Sequence, residues 1–207
     1  MGDGTIGYIY RKLCNTPSDI NEHLPVLMKL AANSTSIVEM GVREAVSSWA
    51  FMEGLINNGS GIKTLISVDI NDVPDIEYIA YQATKAAIDF KFIKHDSVTV
   101  DIPEVDVLFI DTWHVYGHLK RELDAHHTKA KKFIVLHDTE SYKTESETAY
   151  FKGDVEGECK RSGYSAEEVT KGIGFAVVDF LAEQPGWVIG LHFQNNNGLT
   201  ILERKSQ

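Results

Sequence analysis

The sequence predicts an α/β fold with a doubly wound, mostly parallel sheet of seven strands that ends in a C-terminal antiparallel hairpin. Two short runs of branched and aromatic residues, 107–110 and 133–136, are typical of strands buried on both faces. Helix-like segments separate most of the strand-like runs, as in parallel β/α units. Near the C terminus, runs 187–193 and 199–204 flank an Asn-Gly turn at 195–198, which is a strong hairpin signal.

The remaining elements are predicted from the spacing of apolar residues. A first helix is expected to open at Thr16, with Pro17 at the first helical position and Asp19 completing a capping box. The elements that follow are a strand at 36–41, a helix at 44–56, a turn at 57–61, a strand at 64–70, a helix at 75–87 and a strand at 90–95. Runs 107–110 and 133–136 are then the fourth and fifth strands, a helix at 116–129 lies between them, and another at 171–183 precedes the hairpin.

Residues 140–170 form a polar stretch without a clear pattern. Aromatic residues, among them Tyr142, Tyr150 and Tyr164, are scattered through it. Segments of this length inside compact domains are usually functional lids or disordered. We expect a lid over a substrate, with disorder in the free protein as the alternative.

Length and charge favour one domain over residues 1–207 with a small-molecule partner. The chain of 207 residues, 43% of them hydrophobic, is long enough for one core and short for two. Its net charge of −10 argues against nucleic acid or an anionic membrane as partner, and no segment is long enough to span a membrane. An acidic surface with exposed aromatics leaves a homo-oligomer open. Cys14 and Cys159 show no metal-binding spacing and no secretory segment begins the chain, so we expect a reducing, cytoplasmic location and no structural zinc.

The first candidate binding loop follows the first strand. It reads Glu39-Met40-Gly41-Val42-Arg43, and its glycine would let the backbone approach a ligand closely. Arg43 stands where nucleotide-binding loops often carry a second glycine. A plain turn is therefore the alternative. Ser47 could donate a hydrogen bond near this loop or cap the following helix.

Acidic residues end the later strands at the edge where open parallel sheets bind ligands. Asp69 ends the second run, where a carboxylate can accept both hydroxyls of a ribose. Its alternative is to cap the next helix, a role that Asn71 or Asp72 could also fill. Asp96 and Ser97 follow the third run and are expected at the same edge of the sheet.

The fourth and fifth runs end in a candidate metal site. Asp111 and Asp138 offer the carboxylate oxygens that Mg²⁺ prefers, whereas His137 would suit Mn²⁺, Fe²⁺ or Zn²⁺ at least as well. His137 could instead pack away from the site. His114 lies three residues after Asp111 and is the candidate general base, because imidazole titrates near neutrality. A solvent-facing histidine at a helix start is the alternative.

The chain combines parallel β/α units, a closing hairpin, an acid-Gly loop and an acid after the second strand. This combination resembles a class I S-adenosylmethionine-dependent methyltransferase, which has a Rossmann-like fold. The resemblance covers nearly the whole chain. Asp111-x-x-His114 followed by His137-Asp138 is most similar to metal-dependent O-methyltransferases of the macrocin O-methyltransferase and cephalosporin-hydroxylase-like group, with catechol O-methyltransferase more distant.

The resemblance also assigns roles to residues. Glu39 would pair with the amino group of S-adenosylmethionine, and Asp96 and Ser97 would contact its adenine. Asp111 and Trp113 would flank the cofactor, although an aromatic residue at a strand–helix junction is more often part of the core. His114 would act as the base, and His137 departs from the oxygen ligand usual at its position.

The function implied is a metal-assisted O-methyltransferase that uses S-adenosylmethionine and Mg²⁺ or another divalent cation. Its acceptor would be a hydroxyl of a small molecule such as a sugar or glycosylated natural product. A non-catalytic nucleotide-binding or scaffold protein is an alternative, mainly because Arg43 replaces a glycine. A nicotinamide-dependent oxidoreductase is another, since the first loop and Asp69 suit either cofactor, but the terminal hairpin counts against it.

Overall fold

The computed structural model describes residues 5–59 and 61–205. Ser60 of the predicted turn and both ends of the predicted domain 1–207 therefore lie outside the described residues. The strands are β1 (Ser36–Met40), β2 (Lys63–Asp69), β3 (Ile88–Lys94), β4 (Val105–Ile110), β5 (Ala130–His137), β6 (Trp187–Phe193) and β7 (Leu199–Arg204). The helices are α1 (Thr5–Cys14), α2 (Leu24–Ala32), α3 (Val46–Asn57), α4 (Ile76–Lys85), α5 (Tyr116–His126), α6 (Glu147–Tyr150), α7 (Val155–Ser162), α8 (Ala166–Thr170) and α9 (Ile173–Glu183).

All seven strands form one sheet in the order β3-β2-β1-β4-β5-β7-β6. β1 to β5 run parallel to one another, and β7 runs antiparallel to both β5 and β6. The predicted fold class is thus confirmed. Because the chain order reverses between β1 and β4, their carboxyl ends open a crevice where sheets of this kind bind ligands.

Helices cover both faces of this sheet. Alternate residues of one strand point to opposite faces, so Leu108 and Phe109 join different cores. Phe109 packs with Phe51 of α3 on one face, together with α1, α2 and α4. Leu108 packs on the other face with α5 and α9, where Phe180 is almost fully buried. No helix in residues 5–59 and 61–205 combines the length and apolar character needed to cross a membrane.

The prediction of a helix that begins at Thr16 was wrong. α1 already occupies residues 5–14, and the Thr16 hydroxyl donates to the Lys12 carbonyl at its end. A turn follows, in which the Asn21 side chain accepts from the Ser18 amide. Local hydrogen bonding by Thr, Ser and Asn thus replaces the expected cap, and the helix starts only at Leu24.

The patternless stretch 140–170 contains three short helices. Each begins with a side chain that accepts a backbone N–H: Ser146 for α6, Asp154 for α7 and Ser165 for α8. Ser165 and Glu168 complete a capping box. The structure describes every residue of this segment, and its role as a lid stays a prediction.

Gly41 joins the ends of β1 and β4. Its amide donates to the Val68 carbonyl at 2.9 Å, and the Met40 carbonyl accepts from the Asp111 amide at 2.8 Å. Gly41 has a φ of +82°, and a Cβ there would overlap the Asp111 carbonyl group. Only glycine fits this contact.

We predict that Gly41→Ala destabilises the protein by more than about 2 kcal/mol, because the substitution combines a left-handed φ with a backbone clash. Urea unfolding of the variant measures this loss. Gly59→Ala is the matched control, since Gly59 has no neighbour within 4 Å of an added Cβ. Equal stability of the two variants would contradict the close approach.

A buried carboxyl group links β1, β2 and α3. The Glu39 side chain is inaccessible to solvent. It accepts hydrogen bonds from the hydroxyls of Ser47, Ser48 (2.6 Å) and Ser67 (2.8 Å). Burial raises the pKa of Glu39 to about 7, although the three hydroxyls oppose the rise.

This pKa predicts a pH-dependent stability. Between pH 4.5 and about 7 the native state holds a proton on Glu39 that the unfolded chain has lost, so the free energy of unfolding falls as pH rises through this window. The full loss is at most about 3 kcal/mol. Glu39→Gln removes this decline. Urea unfolding at pH 5 and pH 8 measures it, and an identical pH dependence in both proteins would contradict the raised pKa.

Candidate active site

A cavity of about 690 Å³ lies along the carboxyl ends of the parallel strands. This volume is within the range of small-molecule sites, about 300–1,000 Å³. The predicted site residues that line it are Gly41, Arg43, Ser47, Asp69, Asp96, Ser97, Asp111, Trp113, His114 and Asp138. The crevice therefore gathers residues from loops after five strands.

Three predicted site residues do not line this cavity. Met40 is fully buried in the core, and both carboxylate oxygens of Glu39 are taken by serine hydroxyls. The His137 side chain is also fully buried and does not line the cavity, although it contacts Asp111. In this structure none of the three is presented to a ligand in the cavity.

Asp69 holds the loop after β1. One of its oxygens accepts from the amides of Val42 (2.9 Å) and Arg43 (3.1 Å), and the other accepts from the Asn71 amide at 2.8 Å. A carboxylate oxygen can accept two hydrogen bonds, so the second oxygen keeps one acceptor position. Asp69 therefore both shapes the loop and can receive a ligand hydroxyl.

Arg43 adopts the conformation that a glycine would supply. Its φ is +50°, in the left-handed region. Its guanidinium group pairs with both carboxylate oxygens of Asp19, at 2.7 and 3.0 Å. The loop thus reaches a glycine-like backbone without the second glycine.

An aromatic and imidazole group lines the cavity beyond β3. The Ser97 hydroxyl lies 3.1 Å from His118 Nε2, and His118 Nδ1 lies 3.2 Å from the Tyr164 hydroxyl. The Trp113 and Tyr164 rings stack at 5.9 Å with an interplanar angle of 17°. Sequence reasoning missed His118 and Tyr164. His118 lies within a predicted helix, and Tyr164 lies in a segment with no strand or helix periodicity to place it.

At the ends of β4 and β5 lies a group that we call the acid–histidine cluster: Asp111, His114, His137, Asp138 and Glu147. His114 Nε2 lies 3.1 Å from one oxygen of Asp111 and 3.1 Å from one of Asp138. His114 Nδ1 lies 3.0 Å from a Glu147 oxygen. His137 Nδ1 is farther away, 3.4 Å from Asp111 and 3.5 Å from Asp138. Sequence reasoning missed Glu147, which lies 33 residues after His114.

The histidines and carboxylates of this cluster stabilise each other's charged forms. Burial alone would lower the pKa of His114, but the contacts with Asp111, Glu147 and Asp138 outweigh it and raise the pKa to about 10. His137 behaves in the same way, and its pKa also rises to about 10. Burial would raise the pKa of Asp111, yet the charge of His137 and the hydrogen bond to His114 hold it far below its usual range.

The cluster also fits a divalent cation. Asp111, His114 and Asp138 each offer one ligand atom, and these atoms lie within 4.8 Å of one another. The second oxygen of Asp138 is buried and has no hydrogen-bond partner among the described residues. Asp138 has a φ of +58°, a conformation that costs energy in most residues but that Asp tolerates. A buried carboxylate oxygen without a hydrogen-bond partner is costly, and a bound cation would pair it.

Comparison with known proteins found no matching family profile and no matching curated sequence. Solved structures do match. A putative caffeoyl-CoA O-methyltransferase from Staphylococcus aureus aligns over 98% of this chain and 93% of its own, with a TM-score of 0.61 and 15% identity. An O-methyltransferase from Bacillus cereus in complex with S-adenosylhomocysteine (SAH) aligns over 98% and 91%, with a TM-score of 0.57 and 12% identity. A third match is TomG from Streptomyces achromogenes, an O-methyltransferase involved in tomaymycin synthesis, in complex with S-adenosylmethionine (SAM). It aligns over 100% of this chain and 92% of its own, with a TM-score of 0.56 and 12% identity.

At sequence identities of 12–15%, the structural similarity establishes the fold alone. The shared features span nearly the full length of both partners in each pair. The aligned part of this chain therefore includes the sheet and its closing antiparallel hairpin. The chain has the Rossmann-like fold of these O-methyltransferases.

Proposed function

We propose that the protein is a SAM-dependent O-methyltransferase that acts on a hydroxyl group of a small molecule with the help of a divalent cation. One observation carries this proposal. A single cavity joins Asp69, which can accept a ribose hydroxyl, to Asp111, His114 and Asp138, which can hold a cation. A nucleotide cofactor and an acceptor hydroxyl would therefore meet in the same site.

The cofactor would occupy the part of the cavity over β1 to β3. The Gly41 backbone allows close approach, and the remaining acceptor position of Asp69 would receive a ribose hydroxyl. Asp96 and Ser97 line the cavity beyond β3, where the adenine would lie. Trp113 would form a wall of the same compartment.

The reaction would take place beside the acid–histidine cluster. Methyl transfer forms a bond between the acceptor oxygen and the methyl carbon, breaks the bond from that carbon to the sulfonium sulfur, and releases the hydroxyl proton. The protein must align the oxygen with the methyl group and assist proton loss. Asp111 and Asp138 would hold a cation, which lowers the pKa of a coordinated hydroxyl when bound. His114, the predicted base, lines the cavity at this point, and acting as a base would require it to lose the proton that the surrounding carboxylates stabilise.

The scaffold alternative loses its main support. That alternative rested on Arg43 in place of a glycine, but Arg43 adopts the left-handed conformation and Asp69 holds its amide. The oxidoreductase alternative remains an outcome of the test below, because Asp69 would accept the ribose of either cofactor.

Calorimetric titration of the purified protein with SAM, SAH and NAD, with Mg²⁺ or with EDTA, tests the proposal. We expect binding of SAM and SAH and none of NAD. Binding of NAD alone would favour an oxidoreductase. Absence of heat with both sulfur nucleotides would contradict the proposed function.

Asp69→Ala should raise the dissociation constant of SAH by about 10- to 100-fold, because it removes charge-assisted hydrogen bonds to the loop and to the ribose. Calorimetry measures the change, and Asp69→Asn, which keeps an acceptor oxygen, should fall between. Asp89→Ala on exposed β3 is the control and should leave the affinity unchanged. A normal affinity in Asp69→Ala would refute the ribose assignment.

His114→Ala should lower methyl transfer by about 100-fold or more and leave SAH affinity nearly unchanged, because the residue acts at the acceptor and not at the cofactor. Release of SAH during turnover with a panel of sugars and glycosides provides the rate. The control is His192→Ala, which removes a histidine paired with Glu140 that does not line the cavity. Equal rates in the wild-type protein and His114→Ala would exclude His114 from the reaction.

A further inference from the structure

We propose that Glu147 and His114 form a carboxylate–histidine pair that makes His114 Nε2 a metal ligand, so that the site takes a transition-metal ion such as Mn²⁺, Fe²⁺ or Co²⁺ in preference to Mg²⁺. This inference deepens the proposed function, since it concerns the same site. It assigns His114 a role as ligand in place of the predicted role as base, and it identifies Glu147 as the positioning residue of His114.

Glu147 contacts His114 in three ways. A Glu147 oxygen lies 3.0 Å from His114 Nδ1 and also accepts from the His114 amide at 3.4 Å. The Glu147 amide in turn donates to the His114 carbonyl at 3.0 Å. A carboxylate beside Nδ1 can only accept, so Nδ1 keeps its proton in this contact, and a cation that binds the ring would displace the proton from Nε2. Nε2 is then the nitrogen that faces Asp111 and Asp138.

The position of Glu147 is itself fixed by packing. It is the first residue of α6, and the preceding Ser146 is fully buried. The Ser146 hydroxyl accepts from the Ala149 amide at 3.1 Å and donates to the Val169 carbonyl at 2.6 Å. α6 and α8 together therefore hold Glu147 against His114. The Tyr142 ring stacks on the His114 ring at 5.0 Å with an angle of 21°, which fixes the plane of the imidazole.

The spacing of the donor atoms matches a coordination sphere. Two ligands bound to one ion at ~2.1 Å and at right angles lie ~3.0 Å apart. The two distances from His114 Nε2 to Asp111 and to Asp138 are both 3.1 Å. Asp138 has, in addition, a buried oxygen without a hydrogen-bond partner among the described residues.

The donor set favours a transition metal. Mg²⁺ prefers oxygen ligands and keeps several waters, whereas imidazole suits Mn²⁺, Fe²⁺, Co²⁺ and Zn²⁺. Here one imidazole lies between two carboxylates, and His137 brings a second imidazole to 3.4 Å from Asp111. The opposing view is that the histidines are simply the positive partners of the carboxylates and that the cluster binds no cation.

Titration of metal-free protein with Co²⁺ and with Mg²⁺ at one fixed pH separates these views. Calorimetry gives both affinities, and visible absorption reports the environment of bound Co²⁺. We expect Co²⁺ to bind at least about tenfold more tightly than Mg²⁺. Glu147→Gln should weaken Co²⁺ binding by about 10- to 100-fold and change the Co²⁺ spectrum. His114→Ala should abolish the preference for Co²⁺.

Glu145→Gln is the matched control, because Glu145 is exposed and lies two residues away in the same segment. It should leave Co²⁺ binding unchanged. Three results would each overturn the inference. They are equal affinities for Co²⁺ and Mg²⁺, equal effects of Glu145→Gln and Glu147→Gln on Co²⁺ binding, and no binding of either metal. Should Glu147→Gln not fold, the wild-type preference and its loss in His114→Ala decide. SAH binding measured without metal tests the proposed function separately. If SAH binds but neither metal does, only this inference is refuted. If SAH does not bind, the proposed function is refuted.

Discussion

The close contact between the backbones of Gly41 and Asp111 is the constraint on which the site depends. It brings the carboxyl end of β1 against that of β4 at the point where the strand order reverses. A side chain at Gly41 would separate the two strand ends. Because of this contact, the loop clamped by Asp69 and the acid–histidine cluster border one cavity. Backbone packing thus sets the distance between these two sides of the cavity.

Two acids near this contact, one buried and one at the cavity, have opposite electrostatic environments. Glu39 has only neutral hydroxyls as partners, so burial dominates and its pKa rises to about 7. Asp111 lies beside two imidazoles, and its pKa falls far below the usual range. The first acid can therefore stabilise the β1–α3 contact as a neutral group, whereas the second provides a permanent negative charge at the cavity. Different environments thus hold two acids of the same region in different protonation states at neutral pH.

The strands and the parts of the site at their ends could be predicted, because short apolar runs followed by acids are local patterns. Asp69, Asp111 and Asp138 all line the cavity for this reason. Glu147 and Tyr164 could not be predicted, since they reach the site through tertiary packing of short helices that carry no strong periodicity. The helix expected at Thr16 failed because side-chain bonds to the backbone compete with helix caps over such short distances.

The proposed function requires that the cavity bind SAM with its sulfonium end toward the acid–histidine cluster. A crystal structure of the protein grown with SAH tests it most directly. We expect the ribose within hydrogen-bond distance of Asp69, the adenine beside Ser97, and the sulfur on the side of Asp111. An empty cavity at saturating SAH, or SAH bound elsewhere on the protein, would contradict the account.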